Sequence, residues 1–323
     1  INLSISDSFD GLDNCLIYLN LANNILEFIK NTFFSNLAQL KILDLKRNQI
    51  SSIQIGTFDN NKMLTELDLS ENCLFKIHDN LFGKLNNLQQ LNLANNMINK
   101  LYLSRVLEFQ SNLVTLELSN NLIEKFVFSD NILPNLTNIY LSSNKLLKDT
   151  LLRKNYIKMD LNNNQNIQIS LSSYTEPFNN LKILYAGSLF LKKQFKSFDL
   201  NIFPHLEELD LSYNDLSNSS YAFFSYKGSF LMKLILKNAV VNFNISIFSH
   251  FYNLVEIDLD SCNRIEFDIK FLKESFKLEK IVLRNLSLTI SLLNKSFQFS
   301  LFEYLSFLDL SYNNLGDGSE KNM

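Results

Sequence analysis

Leu64-Thr65-Glu66-Leu67-Asp68-Leu69-Ser70-Glu71-Asn72-Cys73-Leu74 is answered 24 residues later by Leu88-Gln89-Gln90-Leu91-Asn92-Leu93-Ala94-Asn95-Asn96-Met97-Ile98. Both read Leu-x-x-Leu-x-Leu-x-x-Asn-x-Leu/Ile. Three further stretches repeat the pattern plainly: Leu40, Leu43, Leu45, Asn48, Ile50; then Leu113, Leu116, Leu118, Asn121, Ile123; and Leu206, Leu209, Leu211, Asn214, Leu216. A motif returning at such a period marks one structural unit stacked many times, each unit burying its apolar face only against its neighbours.

With weaker copies on either side, 13 turns open at Leu16, Leu40, Leu64, Leu88, Leu113, Leu136, Tyr156, Leu181, Leu206, Leu231, Leu254, Leu278 and Leu305, spaced 20 to 27 residues apart. Outer loops absorb that drift without displacing the repeated core. The turns at Tyr156 and Leu181 match worst, with Asn166 where an apolar residue is expected and Leu189 in place of the asparagine. The expectation is a single solenoid over 1–323. Neither end shows a polar or cysteine-rich cap, so the chain reads as an excerpt of a longer protein.

Within each turn, x-Leu-x-Leu-x alternates apolar and polar side chains at period two, which predicts a strand with one buried and one wet face, paired in parallel with its neighbours. Each buried Leu contributes about 1.5–3 kcal/mol. The asparagine follows where the backbone bends and leaves N–H and C=O groups without ladder partners, and its amide can donate and accept at once. Nine turns keep it, as Asn24, Asn48, Asn72, Asn96, Asn121, Asn144, Asn164, Asn214 and Asn313. A further apolar column precedes each motif by six residues (Phe34, Phe58, Phe82, Phe248, Phe299) or by three (Leu37, Leu85, Phe178, Phe203, Phe251, Phe302), and predicts an aromatic spine between turns.

These residues resemble the leucine-rich repeat family, and the 24-residue length with Phe in the outer segment is similar to the class found in animal extracellular proteins. The long, uneven array is similar to Toll-like receptor ectodomains and to insect cell-surface proteins with many such repeats. The resemblance implies an α/β horseshoe solenoid, with a parallel sheet on the concave face and a mostly irregular, short-helical convex face. It implies a non-enzymatic recognition module of a receptor ectodomain, binding a protein or other macromolecule on the concave face, with a receptor dimer as a second expected association. Extracellular or secreted placement follows, with membrane attachment only through segments outside this chain.

Composition agrees and excludes other classes. The 33 acidic and 30 basic side chains leave a net charge of -3, which carries no electrostatic footprint for nucleic acid. No run approaches the roughly 20 apolar residues that span a bilayer. Cys15, Cys73 and Cys262 are too scattered for a disulfide framework or a zinc site, and Cys262 occupies an asparagine position as a small core residue. His78, His205 and His250 lie in separate loops without a partner at fixed spacing, no glycine loop cradles a phosphate, and Lys192, Lys193 and Lys196 read as a solvated loop. No catalytic residue, metal or cofactor is expected.

The central wet column reads Asn20, Asp44, Asp68, Asn92, Glu117, Tyr140, Asp160, Tyr185, Asp210, Ile235, Asp258, Val282, Asp309. Its acidic stripe belongs to the ordinary repeat pattern. The turns at Leu181, Leu231 and Leu278 depart twice over, placing Tyr185, Ile235 and Val282 in the column and Leu189, Ala239 and Leu286 at the asparagine position. With Ile183, Met232 and Tyr213 nearby, and Tyr140 earlier in the column, they predict an apolar partner site on the wet face. Drift of these turns, or cover from a neighbouring loop, is the structural alternative.

Six Asn-x-Ser/Thr sequons, at Asn2, Asn135, Asn218, Asn244, Asn285 and Asn294, are candidate glycan sites. With 45 Asn and 43 Ser plus Thr in the chain, chance alone supplies about six, so they do not argue for secretion. An intracellular scaffold in the cytoplasm, and the targeting module of a larger enzyme, stay open beside the receptor reading.

Overall fold

In the computed structural model, residues 9, 12, 15–99, 106–124, 132–147, 155–164, 177–189, 200–217, 230–241, 251–262, 275–296 and 301–316 are described. Two compact units divide the chain, Ile1–Asp160 and Leu161–Met323. Asn2, Asn218, Asn244, His250, Phe248, Phe299, Asn166, Lys192, Lys193, Lys196 and the side chain of Asn294 lie outside the described residues.

Three-residue strands form wherever the motif places x-Leu-x. In the first unit these are β1 (Tyr18–Asn20), β3 (Ile42–Asp44), β5 (Glu66–Asp68), β6 (Gln90–Asn92), β7 (Thr115–Glu117), β8 (Asn138–Tyr140) and β9 (Lys158–Asp160). They pair in that order, all parallel and in unbroken register, so that Leu43 lies beside Leu67 and Leu67 beside Leu91. A smaller parallel pair, β2 (Phe28–Ile29) with β4 (Ser52–Ile53), links the first two outer segments.

The second unit repeats the arrangement with β10 (Ile183–Tyr185), β11 (Glu208–Asp210), β12 (Lys233–Ile235), β13 (Glu256–Asp258), β14 (Lys280–Val282) and β15 (Phe307–Asp309). A seven-residue helix, α1 (Ile290–Ser296), runs between β14 and β15, and a 3-10 turn at Leu200–Ile202 precedes β11. The fold is therefore a parallel-strand solenoid with little helix among the described residues.

Strand brevity has a local cause. The residue before the asparagine position has φ between 52° and 60° in every turn: Asn23, Arg47, Glu71, Asn95, Asn120, Ser143, Asn163, Ser188, Tyr213, Asn238, Ser261, Asn285 and Tyr312. This left-handed residue ends the strand and turns the chain toward the outer segment. Its N–H still bonds the following turn, as from Arg47 to the Ser70 carbonyl and from Tyr213 to the Lys237 carbonyl. Leucines fill the space behind the strands, with Leu40, Leu43, Leu45, Leu64, Leu67 and Leu69 buried in the first unit and Leu206, Leu209 and Leu211 in the second. Phe34, Phe58 and Phe82 stack in series with ring centroids 6.1 Å apart at both steps.

Candidate ligand-binding face

The asparagines build the lattice on which the wet face rests. Asn72 donates through Nδ2 to the carbonyls of Leu45, Leu69 and Ser70, and its Oδ1 accepts the Ile50 N–H. Asn48, Asn96, Asn121, Asn144, Asn214 and Asn313 likewise join their own turn to the one before. Asn164 donates to the Leu161 and Asn162 carbonyls. Asn24 is exposed and bonds only its own turn, at the Leu21 and Ala22 carbonyls.

Three of the four turns lacking the asparagine are served by the turn after them. Asn214 reaches back to the Ala186 carbonyl and the Leu189 N–H, and Asn313 to the Leu283 carbonyl and the Leu286 N–H. Behind Ala239 the job falls to Cys262, whose thiol donates to the Leu236 carbonyl. Burial pushes that thiol up to about 12, which makes it an inert structural hydrogen.

The acidic column proves to be part of this scaffold. Asp44, Asp68, Glu117, Asp210, Asp258 and Asp309 each accept the backbone N–H two residues on, and Asn20 and Asn92 do the same without a charge. The carboxylates cap the strand exit, so the stripe needs no ligand to explain it. Desolvation holds the Glu117 carboxyl above the ordinary range, against the hydrogen bonds from Ser119 that lower it, and the charges of Asp160 and Asp68 add to the rise.

On the second unit, ions interleave in register along the neighbouring column. Lys233 lies 3.1 Å from Glu208 and 3.7 Å from Glu256, and Lys280 lies 2.9 Å from Glu256. Lys237 sits 3.1 Å from Asp258. Its amine is held above the usual lysine value first by that hydrogen bond, with burial opposing, and then by the charges of Asp258, Asp260 and Asp210.

Among the residues expected to form a partner site, Tyr213 (58%) and Met232 (42%) are exposed, and Ile183, Tyr185 and Ile235 are half-buried on the strand face of the second unit. Tyr140 is half-buried in the first unit with the Lys158 amine 5.2 Å from its ring. Val282 departs from the expectation of an exposed apolar residue. Only 8% of it is exposed, and in register beside it Asp258 is equally buried at 5%.

Both sequons with described asparagine side chains have structural uses. Asn135 donates to the Ser111 carbonyl, continuing a row in which Asn87 donates to Lys62 and Asn112 to Asn86. Asn285 holds one of the left-handed positions, which asparagine tolerates well, and donates to Ser261 Oγ. His78 and His205 lie in separate units, and His205 packs edge-on against Phe230 at 5.2 Å. Among the described residues no cluster of His, Cys, Asp and Glu could hold a metal ion, and no helix is long and apolar enough to cross a membrane.

Parallel three-residue strands, leucines behind them and asparagines bridging successive turns define the class as a leucine-rich repeat solenoid. A family model described as "Leucine rich repeat" matches residues 15–74 and 39–98, and a second, "Leucine Rich Repeat", matches 205–226. Those stretches of the chain are leucine-rich repeats. The fold of the chain is similar to an internalin of Listeria monocytogenes (19% identity, TM-score 0.69, covering 94% of this chain and 82% of that one). It is similar to the APL1 leucine-rich repeat domain (23%, 0.66, 86% and 70%) and to Toll in the Drosophila Toll–Spatzle complex (19%, 0.66, 96% and 42%). This chain thus spans less than half of the Toll chain it matches. A search of curated proteins found no match.

Proposed function

We propose that this chain is the recognition segment of a cell-surface receptor of the Toll-like or adhesion type, facing the extracellular side, and that it binds a macromolecular ligand without catalysing a reaction. The observation that carries this is the strand face of the second unit, where Tyr185 and Ile235, like the buried Val282, interrupt a column of capping carboxylates, beside exposed Tyr213 and Met232. Apolar side chains held on a wet sheet are a recurrent sign of a protein partner. Fold likeness supports the reading, since the Drosophila structure is of Toll with Spatzle, described as a hub of development and innate immunity. On this reading both units belong to one repeat array over 1–323, and limited proteolysis yields no stable fragment ending near residue 160.

The test is to secrete the chain fused to a dimeric tag, screen it against an array of secreted and cell-surface proteins, and repeat the capture with Tyr185→Asp plus Ile235→Asp. Loss of capture with an unchanged melting temperature is expected. Unchanged affinity in the double variant rejects the face. Glycan mass on the natively expressed protein checks the compartment separately.

A further inference from the structure

The sequence Leu-Asp-Leu-Ser-Tyr-Asn occurs twice in the second unit, at 209–214 and at 308–313. Both copies occupy the same register positions, with the Asp210 carbonyl accepting the Ala186 N–H and the Asp309 carbonyl accepting the Leu283 N–H. Around the later copy the preceding turn supplies Arg284, whose guanidinium carbon lies 4.3 Å from the centroid of the Tyr312 ring. Asp309 is held below the usual carboxylate range first by the Ser311 hydroxyl and N–H and then by the charge of Arg284, with burial opposing. The chain fills that copy with its own arginine.

Around the earlier copy, the residue in the register position of Arg284 is Gly187. It cannot readily be anything larger, since a Cβ there would meet Asn162 Oδ1 at 3.0 Å and the Ser212 carbonyl oxygen at 3.1 Å. No side chain at that position overlies Tyr213, which is 58% exposed, and no cation lies within ion-pair distance of Asp210 among the described residues. Ser212, only 5% exposed, keeps a buried hydroxyl oxygen with no hydrogen-bond partner. Side chains at the Ser212 position point to the same side as the capping carboxylates, as the bonds from Ser70 Oγ to Asp68 and from Lys237 to Asp258 show.

We propose that the Asp210–Ser212–Tyr213 site takes an arginine side chain presented by a protein ligand, in the place that Arg284 takes beside Asp309 and Tyr312. A planar guanidinium can stack on a tyrosine ring and donate to a carboxylate and a hydroxyl together, which a lysine ammonium does less well. Neighbouring Tyr185 and Ile235 flank Asp210 in register and cover the stem. The proposal rests on the reading of this strand face as the binding face, and it names the chemistry recognised there.

The probe is N-acetyl-arginine amide, with the neutral isostere N-acetyl-citrulline amide as control, titrated into chain labelled at the isoleucine δ1 methyls. Ile235→Val assigns the reporting resonance. A saturable shift of the Ile235 methyl with the arginine probe and none with citrulline is expected, and Asp210→Asn should weaken binding by about tenfold, the loss of one charge-assisted contact. Asparagine keeps the strand cap, as Asn20 and Asn92 do, so the variant stays folded. Arg284→Ala should add a second binding equivalent at Asp309 and Tyr312. An unmoved Ile235 methyl, equal shifts with citrulline, or unchanged affinity in Asp210→Asn overturns the proposal. Those failures leave the Tyr185 and Ile235 capture experiment standing, whereas unchanged capture in that experiment rejects the face itself.

Discussion

Replacing Asn72 with Ala asks how much one bridging amide contributes. The side chain makes three donor contacts of 3.0–3.1 Å and one acceptor contact of 3.0 Å, all in a buried setting. Its acceptors are shared: the Leu45 carbonyl also receives Asn48, the Leu69 carbonyl also receives Asn96, and the Ser70 carbonyl also receives the Arg47 N–H. None of the three carbonyls is orphaned by the substitution. The Ile50 N–H has no other acceptor, so it alone is left buried and unpaired, at about 1–3 kcal/mol, and the shared bonds lost add about 1 kcal/mol more. The expected total is about 2–4 kcal/mol.

Asn24→Ala is the control, because that amide is exposed and bonds only its own turn, and it should cost under about 1 kcal/mol. Urea unfolding followed by circular dichroism measures both. Hydrogen exchange should show lost protection at Ile50 and the adjoining turns first, because stability in a repeat array is a nearest-neighbour property. Equal costs for Asn72→Ala and Asn24→Ala would refute the bridging account.

Three further outcomes are expected. Phe58→Ala, which removes the middle ring of the stack between Phe34 and Phe82, should cost about 3–5 kcal/mol in the same unfolding assay, and Phe58→Leu distinctly less. Ser188→Gly relieves a left-handed serine at φ 54° and should stabilise by up to about 1 kcal/mol, read as a raised melting temperature. Glu117 binds its proton more tightly in the folded chain than at its ordinary value of 4.5, so stability should fall as pH rises from there through the raised value. Glu117→Gln should flatten that limb of the stability profile in urea melts run across pH, and a slope identical to wild type would show that another group sets it.

The rows of the array were legible because each imposes a residue type at fixed spacing: leucine where the strand faces inward, asparagine where the bend needs a donor and an acceptor together. The left-handed residue of every turn was not. Arg47, Glu71 and Tyr213 hold it against their own preference, because their N–H groups are drawn onto the next turn's carbonyls and the lattice overrides local propensity. A signal was nonetheless present, since Asn23, Asn95, Asn120, Asn163, Asn238 and Asn285 occupy six of these thirteen positions, and asparagine is the commonest non-glycine residue to tolerate that conformation.

The same distinction separates scaffold from site on the wet face. A carboxylate such as Asp44 or Asp258 at the strand exit is explained by the N–H it caps, and Asn92 shows that the charge is dispensable for that task. The strand rows made the acidic column visible in the sequence, but only the hydrogen bonds reveal that one atom of each carboxyl is already committed. What sets Asp210 apart from Asp309 is therefore not in its own repeat, where the six residues are identical, but one turn earlier, in the choice of Gly187 or Arg284. A period read down the chain compares each residue with its equivalents, whereas a binding site in a stacked fold is made across turns, by residues whose relation appears only once the register is known.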